Sequence, residues 1–400
     1  MKSAPFNNRA TLLVLVALWP GFLFDWALEW LLVIVLTLLG FLQFFSGEKR
    51  PNKLDRVGLG VMMFLICIAL VSLVGTLFLQ RFESGIRDIA DAFKPFLFFF
   101  PVYFILALPS TSSTSIQRGA LIVLIYSVAC FFIVKFEVPL LSTFISYLYS
   151  DTKLQITEFT TRLSIPFENP NFFGFFSVVC LFLGLNSEGR LAIVLSVFSA
   201  ICVALSGSRT AWTLGGVLLL FYIAETALRA TQMKSKTGIF VVIFSMCLAV
   251  VFDDAIMSFA EDYKRLADYF DVLLAMDFSS DASYTDRDSL RADARDLIFE
   301  RPFLGWGALK YSGLEVVDNQ YYGLVLRYGF IGLVAIAFYA ILSTRFFLAK
   351  LSGKEAKFKF IFMIAIVLAW LWAGSFLENI RLAILLIVLL NTYRSEDRHV

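Results

Sequence analysis

The sequence predicts an all-α fold: a polytopic integral membrane protein with about twelve transmembrane helices and one large extracytoplasmic loop containing short helices. Composition is the first reason. Of 400 residues, 59% are hydrophobic and 16% charged, and mean hydropathy is +0.79, more apolar than soluble domains. The second reason is that the apolar residues come in continuous runs about as long as a bilayer is thick, without the alternation of a membrane barrel. In lipid only helices or closed barrels satisfy every backbone group, so continuous runs mean helices. The third is a single stretch, 253–320, that is polar and rich in arginine yet set among those runs.

In chain order, spans are expected near 11–24, 27–46, 57–79, 93–109, 119–135, 171–186, 190–206, 211–228, 237–252, 321–343, 359–374 and 377–392. The first contains Pro20 and Gly21, so the first pair can form a kinked hairpin. No small-residue cleavage site separates these two runs, and no cleavable signal peptide is expected. There is no internal repeat. The chain therefore reads as one membrane-embedded domain, 1–400, holding the loop 253–320 and a smaller outside segment, 136–170, amphipathic near Thr143 to Tyr149.

Lysine and arginine set the orientation. With an even number of spans and both termini inside, the inside segments carry Lys49, Arg50, Lys53, Arg56, Arg190, Arg229, Lys234, Lys350 and Lys354 among others. The stretch 253–320 has 15 acidic and 7 basic residues, a net charge of −8, and belongs outside. The segment 80–94 departs from the pattern: it falls outside with Arg81, Arg87 and Lys94, offset by Glu83, Asp88 and Asp91.

Several chemistries are excluded early. The lone histidine is His399, so neither an internal catalytic histidine nor a histidine-based metal site is available. Cys67, Cys130, Cys180, Cys202 and Cys247 all lie in apolar runs without metal-ligand spacing and read as small core hydrophobes. No metal and no cofactor is expected. A net charge of +2 implies no nucleic-acid partner.

Arginines at membrane edges carry the remaining signal, because a buried guanidinium needs a partner or an anion. Arg209 sits in the reversal Ser206-Gly207-Ser208-Arg209-Thr210, where a following helix start makes an anion site; a snorkelling side chain is the plainer alternative. Arg162 precedes Pro166-Phe167-Glu168-Asn169-Pro170-Asn171, a stiff polar lip in which Asn169 reads as a helix cap with Pro170 first in the helix. Thr285 to Ile298 reads as a helix capped at Thr285, with Leu290, Ala294, Leu297 and Ile298 as its apolar stripe. Arg287, Arg291 and Arg295 share another face, fit either for clamping phosphates or for pairing with neighbouring aspartates. Pro302 and Gly305-Trp306-Gly307 end that helix. Asp318, just before the next span, can orient or deprotonate a hydroxyl, or can simply cap the helix. Glu378 and Arg381 read as a structural pair.

Taken in order, Gly207-Ser208-Arg209-Thr210, the outside Arg287, Phe303-Leu304-Gly305-Trp306-Gly307, Asp318-Asn319-Gln320-Tyr321-Tyr322 and Arg327-Tyr328-Gly329-Phe330-Ile331-Gly332 resemble the bacterial O-antigen polymerase and O-antigen ligase superfamily. Arg162 with Glu168-Asn169-Pro170-Asn171-Phe172 resembles its lip. The resemblance covers roughly 160–340 and implies a metal-independent glycosyltransferase of the bacterial inner membrane, with the large loop periplasmic. Such an enzyme moves a glycan from undecaprenyl pyrophosphate onto an acceptor hydroxyl. It implies pyrophosphate held by Arg209, Arg287 and Arg162, with Arg291, Asn171, Asn319 and Tyr322 beside the substrate. Ligases of the superfamily carry a histidine where this chain has Asp318, which favours a polymerase of lipid-linked oligosaccharide repeat units. Asp318 is then the first candidate for the acceptor's proton and Glu168 the second. Expected partners are lipid-linked donor and acceptor, membrane lipid and a chain-length regulator. The alternatives are transfer to lipid A core, and a flippase or transporter.

Overall fold

The computed structural model describes residues 9–19, 27–46, 51–79, 89, 91–108, 112–149, 162–167, 169–233, 282–307, 319–349, 351, 353–373, 382 and 385. These described residues form twelve helices and no strand: α1 (Arg9–Leu18), α2 (Ala27–Ser46), α3 (Lys53–Leu79), α4 (Lys94–Ala107), α5 (Ser113–Lys135), α6 (Leu141–Tyr149), α7 (Pro170–Leu185), α8 (Arg190–Leu205), α9 (Arg209–Met233), α10 (Ala282–Glu300), α11 (Gln320–Leu348) and α12 (Lys354–Ala373). Three are long and apolar enough to cross a membrane, namely Lys53–Gly75 within α3, α5 and α11. Arg9–Leu18, Leu31–Ser46, Lys94–Ala107, Pro170–Leu185 and Arg190–Leu205 are apolar but shorter. The expected span at 237–252 lies outside the described residues, and of 377–392 only Leu382 and Leu385, both buried, are within them.

The core is built around α7, which is buried on every side from Phe173 to Gly184. A helix apolar all round belongs in the middle of a bundle. Small residues let its neighbours close in. A methyl on Gly174 would meet Cβ of Ala211 at 2.7 Å, and one on Gly184 would meet the Ser196 amide nitrogen at 2.9 Å.

The helix ends sort into two sets. At one end of the bundle, Arg9 is buried and donates to the Leu106 and Leu108 carbonyls at 3.1 and 2.7 Å, closing the last turn of α4. Its role here is to satisfy carbonyls a helix end leaves open. Lys359 near the start of α12 pairs with Glu225 in the second half of α9 at 3.6 Å, so α9 and α12 run antiparallel. At the other end, the Tyr149 hydroxyl that closes α6 reaches the Leu18 carbonyl that closes α1, at 3.5 Å. The Leu163 amide of the lip donates to the Leu205 carbonyl that closes α8, at 2.9 Å.

One expected span is not a single helix. Gly329 breaks α11 with φ 64° and ψ −177°. The broken ladder is answered by the segment that follows α10. Trp306 and Gly307 amides donate to the Leu326 and Arg327 carbonyls at 2.6 and 3.1 Å, and the Phe330 and Ile331 amides donate to the Pro302 and Phe303 carbonyls at 2.8 and 3.3 Å. This satisfies groups that lipid cannot. The segment is also fixed to α3: Ser72 Oγ donates to the Leu304 carbonyl at 2.6 Å, and Arg301 donates to the Gly75 carbonyl at 3.3 Å while lying 4.3 Å over the Trp306 ring.

Candidate functional site

The lip and the reversal expected from sequence meet through Arg162. Its Nε donates to the Ser206 carbonyl at 3.2 Å, and its Nη2 donates to Asn171 Oδ1 at 3.3 Å. Both acceptors are neutral oxygens. Gly207, at φ 57°, leaves room for this side chain: a methyl there would lie 3.0 Å from Arg162 Cγ. Asn169 caps α7 as expected, accepting from the Asn171 amide at 2.8 Å with Pro170 first in the helix. Ser208 caps α9, its Oγ accepting from the Ala211 amide at 3.3 Å, which puts the half-buried Arg209 in the first turn.

The second group lies between α10 and α11. Helix α10 begins at Ala282, so Thr285 lies inside it and does not cap it. The apolar stripe holds: Ala294, Leu297 and Ile298 are buried with Trp306, Val325 and Leu326, and Tyr322 packs against them. Trp306 Nε1 donates to the Leu297 carbonyl at 2.8 Å. The cap of α11 is Asn319, whose Oδ1 accepts from the Tyr321 and Tyr322 amides at 3.0 and 3.3 Å, so the capping role offered to Asp318 belongs to its neighbour. The other half of that amide is unspent. Asn319 is 0% exposed and its Nδ2 has no partner; the Nε of Arg291 is likewise buried without one. Buried donors of this kind are uncommon; the Nε of Arg9 at the opposite end of the bundle is another.

These two donors stand equally far in sequence from one backbone contact. The Pro302 carbonyl meets the Phe330 amide; Arg291 lies eleven residues before the first and Asn319 eleven before the second. Ala294 with Tyr322 and Ile298 with Leu326 keep the same spacing within the cluster they share.

The two groups face the same end of the bundle. The Tyr321 hydroxyl donates to the Leu368 carbonyl of α12 at 2.9 Å. Two residues along α12, Trp370 packs on Phe175 of α7 with ring centroids 4.5 Å apart. The starts of α7, α9 and α11 therefore gather around the last turns of α12, and helix starts carry the positive end of the peptide dipole. Three sequence-predicted residues stand outside this description: Asp318 and Glu168, and the side chain of Arg287, whose backbone lies in α10. Glu378 and Arg381 do so as well. Arg295 is exposed on α10.

Two features had escaped the reading of the residues. Arg301 is a brace across α3 and Trp306, and the five-residue step from Arg301 to Trp306 was its one visible signal. Beside the break in α11, a small hollow is lined by Ala69, Asp91, Ala92, Gly307, Arg327 and Tyr328. Asp91 there is buried and pairs with Lys94 at 3.3 Å, which gives two of the charges in segment 80–94 a structural use. Among the described residues no cluster of metal-ligating side chains occurs. No protein-family model matches the chain, and no curated protein matches it.

Proposed function

We propose that this chain is a membrane glycosyltransferase of the bacterial inner membrane. It joins lipid-linked oligosaccharide repeat units by moving the growing glycan from undecaprenyl diphosphate to the next unit, on the periplasmic side. The observation that carries this reading is the pair of buried donors on Arg291 and Asn319 without acceptors, at the bundle end where three helices begin and where Arg162 and Arg209 sit. A diphosphate supplies many lone pairs and negative charge, and helix starts with guanidinium donors are the chemistry that holds one.

In this reading the acceptor hydroxyl oxygen attacks the anomeric carbon, the bond from that carbon to the diphosphate oxygen breaks, and the hydroxyl proton passes to a carboxylate. Asp318 is the assigned carboxylate, being the residue before the Asn319 cap, with Glu168 of the lip in reserve. Arg162, Arg209, Arg287, Arg291 and the α7, α9 and α11 dipoles stabilise the charge that gathers on the departing diphosphate. Asn171 holds Arg162 in place. Tyr322 shapes the apolar wall behind Asn319.

The test is elongation by purified protein in nanodiscs, given an undecaprenyl-diphosphate oligosaccharide as both donor and acceptor, with EDTA present. Wild type makes a ladder of products. Arg291→Ala and Arg209→Ala abolish the ladder while remaining monodisperse. Full elongation by both variants refutes the assignment of the site. Transfer to lipid A core alone, or movement of the lipid-linked sugar across the bilayer without chain growth, refutes the polymerase reading.

A further inference from the structure

Helix α5 presents a lipid-type face to the outside of the bundle. Ile122, Ile125 and Phe132 are exposed on it at steps of three and seven residues, one stripe of a helix long and apolar enough to cross a membrane. The stripe does not stop where the helix does. Phe136, 70% exposed, stacks on Phe132 with ring centroids 5.8 Å apart and planes 9° from parallel. The chain then turns through Glu137 and Leu140, both at positive φ, and the turn is closed by the Val138 amide on the Ile133 carbonyl at 3.0 Å and the Ser142 amide on the Val138 carbonyl at 2.9 Å.

After that turn α6 runs on with an apolar side facing out. Leu140 is 86% exposed, and Leu141, Phe144 and Tyr147 are exposed after it. The inward side carries Ile145 and Tyr149, buried with Cys130 and Ile165, and Tyr149 shares a 3.0 Å hydrogen bond with Tyr126 of α5. Helix α6 contains no charged residue. A nine-residue helix with this two-sided character, joined to the end of a span by a five-residue turn, cannot leave the level at which the span meets the head groups.

We propose that α6 is an interfacial anchor: its outer face, Leu140, Leu141, Phe144 and Tyr147, lies on the acyl boundary of the leaflet into which α5 emerges, and its occupant is phospholipid. The apolar stripe of α5 that runs unbroken through Phe132 and Phe136 selects lipid over a protein partner, because the same solvent covers both. Through Ile145, Tyr149 and Ile165 the anchor also sets the height of the lip that carries Arg162. This inference stands without the glycosyltransferase reading.

A nitroxide at Phe144→Cys tests it, in a chain with Cys67→Ala and Cys247→Ala, reconstituted in nanodiscs of phosphatidylethanolamine and phosphatidylglycerol. Lipid contact makes collisions with oxygen several-fold more frequent than collisions with a water-soluble nickel chelate, and the same ordering holds for Leu140→Cys. A label reached freely by the nickel chelate overturns the proposal, since the face is then in water. A label shielded from both reagents and broadened by a second spin overturns it as well, since another copy of the chain then covers the face. Shielding from both without broadening places a different protein surface there, and the proposal falls in that case too.

Discussion

Replacing Gly329 by alanine attacks the break in α11 and the seam that answers it. The backbone at 329 has φ 64° and ψ −177°, a region that side chains other than glycine's hardly enter, and forcing alanine into it costs about 2 kcal/mol. The new methyl would also overlap the Phe303 carbonyl. Relief requires moving that carbonyl, which loosens the bond it accepts from the Ile331 amide and, through the adjoining peptide, the bond from the Phe330 amide to the Pro302 carbonyl, at about 1 kcal/mol each. The expected loss is about 4 kcal/mol, close to a thousandfold in the folded-to-unfolded ratio. Equilibrium unfolding in mixed micelles reads it. Gly323, in the same helix, is the internal control: a methyl there meets nothing within 4 Å, so Gly323→Ala stabilises the protein by about 0.5–1 kcal/mol through reduced backbone entropy. If the two alanine variants unfold at the same denaturant concentration, the break is not held as described and the reasoning fails.

Arg162→Lys keeps the charge but loses the fork that reaches both Ser206 and Asn171; it destabilises by about 1–2 kcal/mol, and hydrogen exchange at the Leu163 and Ala211 amides rises, read by mass spectrometry. Trp306→Phe keeps an aromatic ring under Arg301 but leaves the Leu297 carbonyl without its Nε1 donor, a loss of about 1–3 kcal/mol in the same unfolding assay. Glu225→Lys and Lys359→Glu each lower the unfolding midpoint by juxtaposing like charges, and the double swap recovers most of the loss; a double variant no better than either single one shows that the 3.6 Å pair is incidental.

Much of the architecture could be read from residues because it rests on local rules. The runs at 27–46, 171–186 and 190–206 match α2, α7 and α8 within a residue, since composition alone specifies where a chain is apolar enough to bury. Asn169 before Pro170 declared its cap. The stripe of Ala294, Leu297 and Ile298 declared which side of α10 packs inward. Other features depend on partners far along the chain. Arg162 meets Ser206 across 44 positions, and no local pattern announces that. Asp318 and Asn319 are adjacent and nearly equal as caps, so only geometry chose between them. Gly329 was hidden because glycine inside an apolar run is common in membrane helices and signals no break by itself. Phe303 to Gly307 carried the resemblance to a family of enzymes, yet what the structure shows of that stretch is backbone pairing with α11. A motif of this sort marks a fold at least as strongly as a reaction.

The pairing of 302–307 with 326–331 has a bearing on how this chain can vary. On each strip two adjacent acceptors, Pro302 and Phe303 or Leu326 and Arg327, are followed by two adjacent donors, Trp306 and Gly307 or Phe330 and Ile331, so side chains there can be exchanged wherever they point away from the contact. Adding or deleting one residue between Glu300 and Trp306 would slide every partner past its mate. The stretch is therefore a ruler: outside Gly305, Trp306, Gly307 and Gly329 it tolerates changes of spelling, and nowhere a change of count.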